Sequence, residues 1–288
     1  AAAAALTVVE PTANGIGSDA FALVWSEADK RLYGLNASGP APMLATIERI
    51  KRDCSVADNR MPRHGWAPVT VPGAPKAWAE LNGRFGHLSL SEVLMPAVRY
   101  AEEGYPCQPN LSLLWRDAFE RYNGSLIGPV FEPWYKKFAP EGHTPLAGER
   151  IVLPDHAATL RAIGETNADA FYCGDIALRI DEQSRRFGGY LRREDLSSFR
   201  AKWVEPIHIN YRGYEVCEIP PNGQGIVALM ALNILKEFEF KEKDSVETCH
   251  RQLEAMKIAF ADALATVTDP SNMTVDWNDF LDMRADKA

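Results

Sequence analysis

A strand that ends in two prolines and reopens at once as an apolar helix constrains this chain more than any other stretch. It is Glu218-Ile-Pro-Pro-Asn-Gly-Gln-Gly-Ile226, followed by the apolar run 227–235. Upstream, residues 213–219 alternate roughly as a strand does. Downstream, Ile226, Leu229, Met230, Asn233 and Ile234 recur at helical spacing. Prolines 220 and 221 cannot donate to a ladder, and glycines 223 and 225 let the backbone take positive φ. A helix opened this way points free N–H groups at whatever lies in front of it. The stretch is therefore either a ligand-facing edge or a plain strand–helix connection.

At 288 residues the chain can bury a sizeable core, and no linker or repeat divides it, so one domain over 1–288 is expected. A net charge of −8 disfavours nucleic acid or an anionic membrane surface as partner. The apolar runs are too short to span a bilayer. Five scattered cysteines without a CxxC pair favour buried thiols in a reducing, cytoplasmic compartment over a disulfide framework. Ala1–Ala5 has neither an initiator Met nor a basic leader, so the expectation is a truncated helix whose beginning lies upstream. A signal peptide beyond it stays open.

In order, the pattern predicts helix 1–9, a loop 11–17, and a hairpin of strands 21–25 and 31–35 about the polar turn 26–30. A short helix over 45–52 precedes an irregular stretch 65–75. Helix 76–85 closes at Gly86. Ser89 and Glu92 have capping-box spacing, and the helix they open is expected to break at Pro96, with a second segment 97–103. Residues 112–122 are helical, with Trp115, Phe119 and Tyr122 on the inner face. The aromatics within 123–150 argue for a packed loop. Asp155 and Asp175 are expected to cap helices 157–165 and 176–187, and 191–199 is a further short helix. Strands 204–210 and 212–219 pair. Helix 247–264 is amphipathic through Leu253, Met256, Phe260 and Leu264. The composition of elements is α+β.

Common site signatures are missing: no HExxH, no GxxxxGK[ST], no GxGxxG opening a helix and no GxSxG. Six dispersed histidines lack ligand spacing, so neither a metal nor a cofactor is expected. Motifs alone stop at a globular α/β or α+β domain.

Longer blocks go further. Gly189-Tyr-Leu-Arg-Arg-Glu-Asp-Leu196, Phe199, Trp203, Glu205-Pro206 and Tyr211-Arg-Gly-Tyr214 lead into Pro220-Pro-Asn-Gly-Gln-Gly225. Val8-Val-Glu-Pro11 with Gly15-Ile-Gly17, Val69-Thr-Val-Pro-Gly73 with Trp78 and Phe85-Gly86, Ala101-Glu-Glu-Gly104 and Ala170-Phe-Tyr-Cys-Gly174 stand in order before them. Glu254-Ala-Met-Lys257 and Ala259-Phe-Ala-Asp262 follow. This colinear set resembles the γ-glutamyltranspeptidase family over nearly the whole chain.

The resemblance implies an N-terminal-nucleophile hydrolase with a four-layer αββα sandwich, completed by a small subunit cut from the same precursor. In such enzymes the new N-terminal Thr of the small subunit attacks a γ-glutamyl or related amide, with its own α-amino group as base. No catalytic residue is then expected in this chain, whose partners would be the small subunit and a small-molecule amide, with a higher oligomer left open. Two departures bear on substrate. Glutathione-cleaving members place an arginine in a DGRETAP-like loop to hold a carboxylate, and here Asn36-Ala-Ser-Gly-Pro-Ala-Pro42 puts Ser38 at that place. Either another cation serves, or the substrate lacks that carboxylate. Asn222 and Gln224 replace a serine-containing turn, Ser18-Asp19 follows GIG in place of a glycine run, and Ala263 replaces an arginine. Asn36, Ser38, Asn222 and Gln224 are the candidate substrate-binding residues, with turn formation alone as the other reading of the last two. An amidohydrolase or acylase acting on a non-γ-glutamyl amide, and a non-catalytic binding protein on the same scaffold, are the alternatives.

Overall fold

The computed structural model describes residues 1–54 and 60–282. The first part of the chain runs α1 (Ala2–Val9), β1 (Ala20–Ser26), β2 (Arg31–Ala37), α2 (Ile47–Cys54), α3 (Ala74–Phe85) and α4 (Leu90–Glu103). Next come β3 (Tyr105–Pro106), α5 (Pro109–Tyr122), α6 (Glu132–Phe138), β4 (Arg150–Ile151), α7 (Pro154–Glu165), α8 (Asp169–Tyr172) and α9 (Asp175–Arg186). The last part is α10 (Arg193–Ser198), β5 (Lys202–Val204), β6 (Ile207–Tyr211), β7 (Tyr214–Glu218), α11 (Gly225–Leu235) and α12 (Val246–Thr266). With 49% helix and 11% strand, the chain is α+β, as its pattern predicts. It falls into two compact units: Ala1–Ala20 with Ala37–Ala201, and Phe21–Asn36 with the residues from Lys202 onward.

The first unit is built on α4, which packs against α7 and α1. Leu90, Leu94, Ala97, Val98 and Ala101 bury one face of α4, and Ala157, Leu160 and Ile163 bury the facing side of α7. Each such leucine stabilises the fold by about 1.5–3 kcal/mol. Gly164 sets the approach, since a Cβ there would lie 2.9 Å from the Ser91 Cα. The capping box forms as expected: the Glu92 N–H donates to Ser89 Oγ at 3.2 Å, and the Ser89 N–H donates to Glu92 Oε2 at 2.9 Å. The expected break at Pro96 does not occur, and α4 runs through it. Proline removes one ladder donor, and the buried residues on both sides of it hold the turns together. The aromatic stretch is packed as expected, but it is not all loop, since α6 carries Trp134 and Phe138. The Trp115 ring lies 5.8 Å from Phe138, Trp134 lies 5.2 Å from Tyr122, and the Trp115 indole N–H donates to the Phe138 carbonyl at 2.7 Å.

Two capping assignments are corrected. Leu153 and Gly174 hold the N-cap positions of α7 and α9, so Asp155 and Asp175 lie inside the first turns, where a carboxylate still favours the helix end. Asp155 instead accepts from Lys137 Nζ at 2.8 Å. The helix expected over 191–199 is shortened to α10.

In the second unit the sheet order is β1-β2-β5, with Gly34 opposite Val204 in an antiparallel register. The strand expected over 204–210 is split in two, because Pro206 cannot donate and separates β5 from β6. β6 pairs with β7, placing His208 opposite Cys217. Their Ile207 and Ile209 join Ile226, Leu229 and Met230 of α11 and Ala255, Ala259 and Ala263 of α12 in one core. That core corrects the expected face of α12. Leu253 and Leu264 are 64% and 80% exposed, whereas Ala259 is fully buried. The small alanines let α12 approach α11 closely, and the bulky side chains are left flanking the contact.

Candidate functional site

The strand–turn–helix stretch of the second unit gathers residues from three strands. β7 ends at Glu218, and Ile219, Pro220 and Pro221 bury the start of the turn. The Pro221–Asn222 peptide is cis. Asn222 is exposed, and its Oδ1 accepts from the Asn36 Nδ2–H at 2.9 Å. Asn36 sits half-buried near the end of β2, between the fully buried Leu35 and Ala37. Two of the residues selected from sequence are thus brought together across a separation of 186 positions. Gln224 occupies the N-cap of α11, exposed, and its side chain makes no capping bond.

Two further side chains belong to this mouth and were not selected from the sequence. Phe21, at the start of β1, is 46% exposed, and a Cβ on Gly223 would stand 3.8 Å from its ring. Glu218 lies closer still: a Cβ on Gly225 would overlap its Oε2. The carboxylate is therefore seated against the first residue of α11, at the end of a helix that carries partial positive charge. Glu218 and Glu215 also add to the burial that pushes the Cys217 thiol upward. Spacing alone held one clue to Glu218, an acidic residue closing the strand whose helix begins with glycine.

Ser38 belongs to the first unit, half-buried in the segment that leaves β2. Its backbone is held on several sides. The Gly39 N–H donates to Asp19 Oδ1 at 2.9 Å, and the Val71 N–H donates to the Pro40 carbonyl at 3.1 Å. The Ser18 carbonyl accepts from the N–H groups of Gly73 and Ala74 at 3.0 and 2.8 Å. Gly39 and Gly73 are required by close approach, because a Cβ on either would fall on the carbonyl of Val71 or Ala37 respectively. Tyr172 completes the clamp, donating to the Pro72 carbonyl at 2.7 Å and accepting from the Lys76 N–H at 3.1 Å, and burial raises its phenol well above the usual range. Ser18 and Asp19, which replace the glycine run that the family resemblance associates with this place, hold this segment through the Ser18 carbonyl and the Asp19 carboxylate.

Among the described residues no group of three or more His, Cys, Asp or Glu could hold a metal ion, and no helix is long and apolar enough to cross a membrane. The second unit's turn presents carboxamides, an aromatic ring and one carboxylate.

The chain matches the family model described as Gamma-glutamyltranspeptidase over residues 1–287. It is 33% identical over 295 residues to the Glutathione hydrolase-like YwrD proenzyme of Bacillus subtilis (strain 168), a match that covers 99% of this chain and 53% of that protein. The Acylase ACY 1 proenzyme of Pseudomonas sp. (strain SE83) is 33% identical over 284 residues, covering 94% of this chain and 49% of that protein. Among solved structures, the cephalosporin acylase from Bacillus halodurans superimposes with a TM-score of 0.94 at 52% identity, over 98% of this chain and 52% of that one. The chain spans about half the length of the curated relatives it matches.

Proposed function

The chain belongs to the gamma-glutamyltranspeptidase family, and from that premise we propose that it is the large subunit of a self-processing amide hydrolase or acyltransferase. The precursor cuts itself, and the second chain begins with the threonine nucleophile and completes a four-layer αββα sandwich. The Thr hydroxyl attacks the amide carbonyl carbon while its α-amino group takes the hydroxyl proton. The C–N bond breaks, the proton goes to the leaving amine, and an acyl ester remains on the threonine. Water or an amine then attacks that ester, releasing the acyl product and restoring the hydroxyl. Asn36, Asn222 and Gln224 contact the substrate, and Ser38 is the fourth residue to which we assign such contact.

The acyl group we favour lacks a carboxylate. One observation carries this preference: residues 36–42 contain no arginine, and Asn36 offers a carboxamide already bonded to Asn222 at 2.9 Å. A carboxamide or a serine cannot supply the forked, charged grip of a guanidinium. The test expresses the full precursor and compares γ-glutamyl anilide with carboxylate-free acyl anilides. Higher kcat/KM for the carboxylate-free compounds is expected. Turnover of the γ-glutamyl compound alone would overturn the preference, and turnover of neither would leave a non-catalytic binder on this scaffold.

A further inference from the structure

We infer that Glu218 and Phe21 set acyl specificity at this mouth: Glu218 repels acyl groups that end in a carboxylate, and Phe21 supports apolar ones. The inference rests on the proposed amide-cleaving reading and names the substrate class it implies.

An unoccupied helix start attracts anions through its unpaired N–H groups and the partial positive charge of its first turn. Here that attraction is met from within. Glu218 is the last residue of β7, and Gly225 is the first of α11. Because Gly225 has no Cβ, the Glu218 carboxyl group can occupy the space where one would lie. An incoming carboxylate would therefore face a fixed negative charge, and like charges in a half-buried setting repel. A neutral chain meets no such penalty.

On the same turn, the Phe21 ring borders Gly223 and is 46% exposed, so apolar surface is presented beside the Asn36–Asn222 pair. Aromatic surface of this kind recovers part of its exposure by covering an alkyl or aryl group. A carboxamide pair that can orient an amide, an apolar ring and a repelling carboxylate together describe a neutral, apolar acyl amide. Discrimination then comes from a repulsive element as much as from an attractive one.

The experiment uses the processed full-length protein, with glutaryl and pentanoyl anilides as probes that differ chiefly in the terminal carboxylate. Wild type is expected to show the higher KM for the glutaryl compound, and rising salt should narrow the gap through screening. Glu218→Gln should lower the ratio of glutaryl KM to pentanoyl KM by about fivefold to tenfold, with the kcat ratio steady. Phe21→Ala should raise the pentanoyl KM more than the glutaryl KM. A Glu218→Gln variant that shifts both KM values alike, or neither, while both anilides turn over would overturn the specificity role and spare the reaction. If no anilide turns over, the reaction fails instead, and calorimetric binding of glutarate and pentanoate to wild type and Glu218→Gln still decides the charge effect. Equal preference in both proteins would sink it.

Discussion

Asp19 holds the segment that carries Ser38 from 20 residues away, by accepting the Gly39 N–H. Asp19→Ala leaves that donor to water and should cost about 1 kcal/mol in urea unfolding, with a rise in KM if Ser38 meets substrate. A second residue sets a pH dependence. Burial holds the His156 imidazole below its usual 6.5, Lys137 adds to the effect, and Asp155 opposes it. The folded state keeps this ring neutral while the unfolded chain protonates it. Stability is therefore at its full value above pH ~6.5 and falls as the pH drops toward the lower folded pKa, and His156→Gln should flatten that slope in unfolding curves. Neither role could be read along the sequence. Asn36 and Asn222 were legible only because their blocks resemble a family, whereas Asp19 and Glu218 act through approaches that no local spacing records. Asp19 reaches Gly39, and Glu218 reaches Gly225.

Elements were legible where their signals are local. The Ser89–Glu92 box, the closure of α3 at Gly86, the β1–β2 hairpin and the strand–turn–helix all depend on neighbours within a few residues. The errors arose where a distant partner decides. Whether an aspartate is a cap depends on its own backbone dihedrals, which the surrounding fold sets, and Asp155 and Asp175 instead lie two and one positions past the caps Leu153 and Gly174. A proline inside a helix is tolerated when burial on both sides holds the turns, as Leu94, Ala97 and Val98 do around Pro96. The α12 face was misread because counting large apolar residues ignores the closeness of α11, which selects alanines. It follows that Ala259→Leu should destabilise by about 1–3 kcal/mol through overpacking. Leu253→Gln should cost less. Paired thermal unfolding curves compare the two, and the reverse order would contradict the assigned face.

At the scale of the whole molecule, the chain divides into two units, and each carries part of what the family resemblance assigned to substrate. The first fixes Ser38 on a clamped backbone. The second brings Asn36, Asn222, Gln224, Phe21 and Glu218 to one turn. The stretch that first suggested a free-standing anion site carries a carboxylate of its own, Glu218, against the first residue of α11, and we assign its groups to orienting and selecting substrate. That a second chain supplies the nucleophile is our proposal and the central claim of the account. Intact-mass measurement and N-terminal sequencing of the purified full precursor test it most directly. The account predicts two chains whose masses sum to that of the precursor, the second beginning with threonine, and a mass increase on that second chain after trapping with an acylating amide analogue. A single uncut polypeptide, or an acyl group carried by this chain, would contradict it.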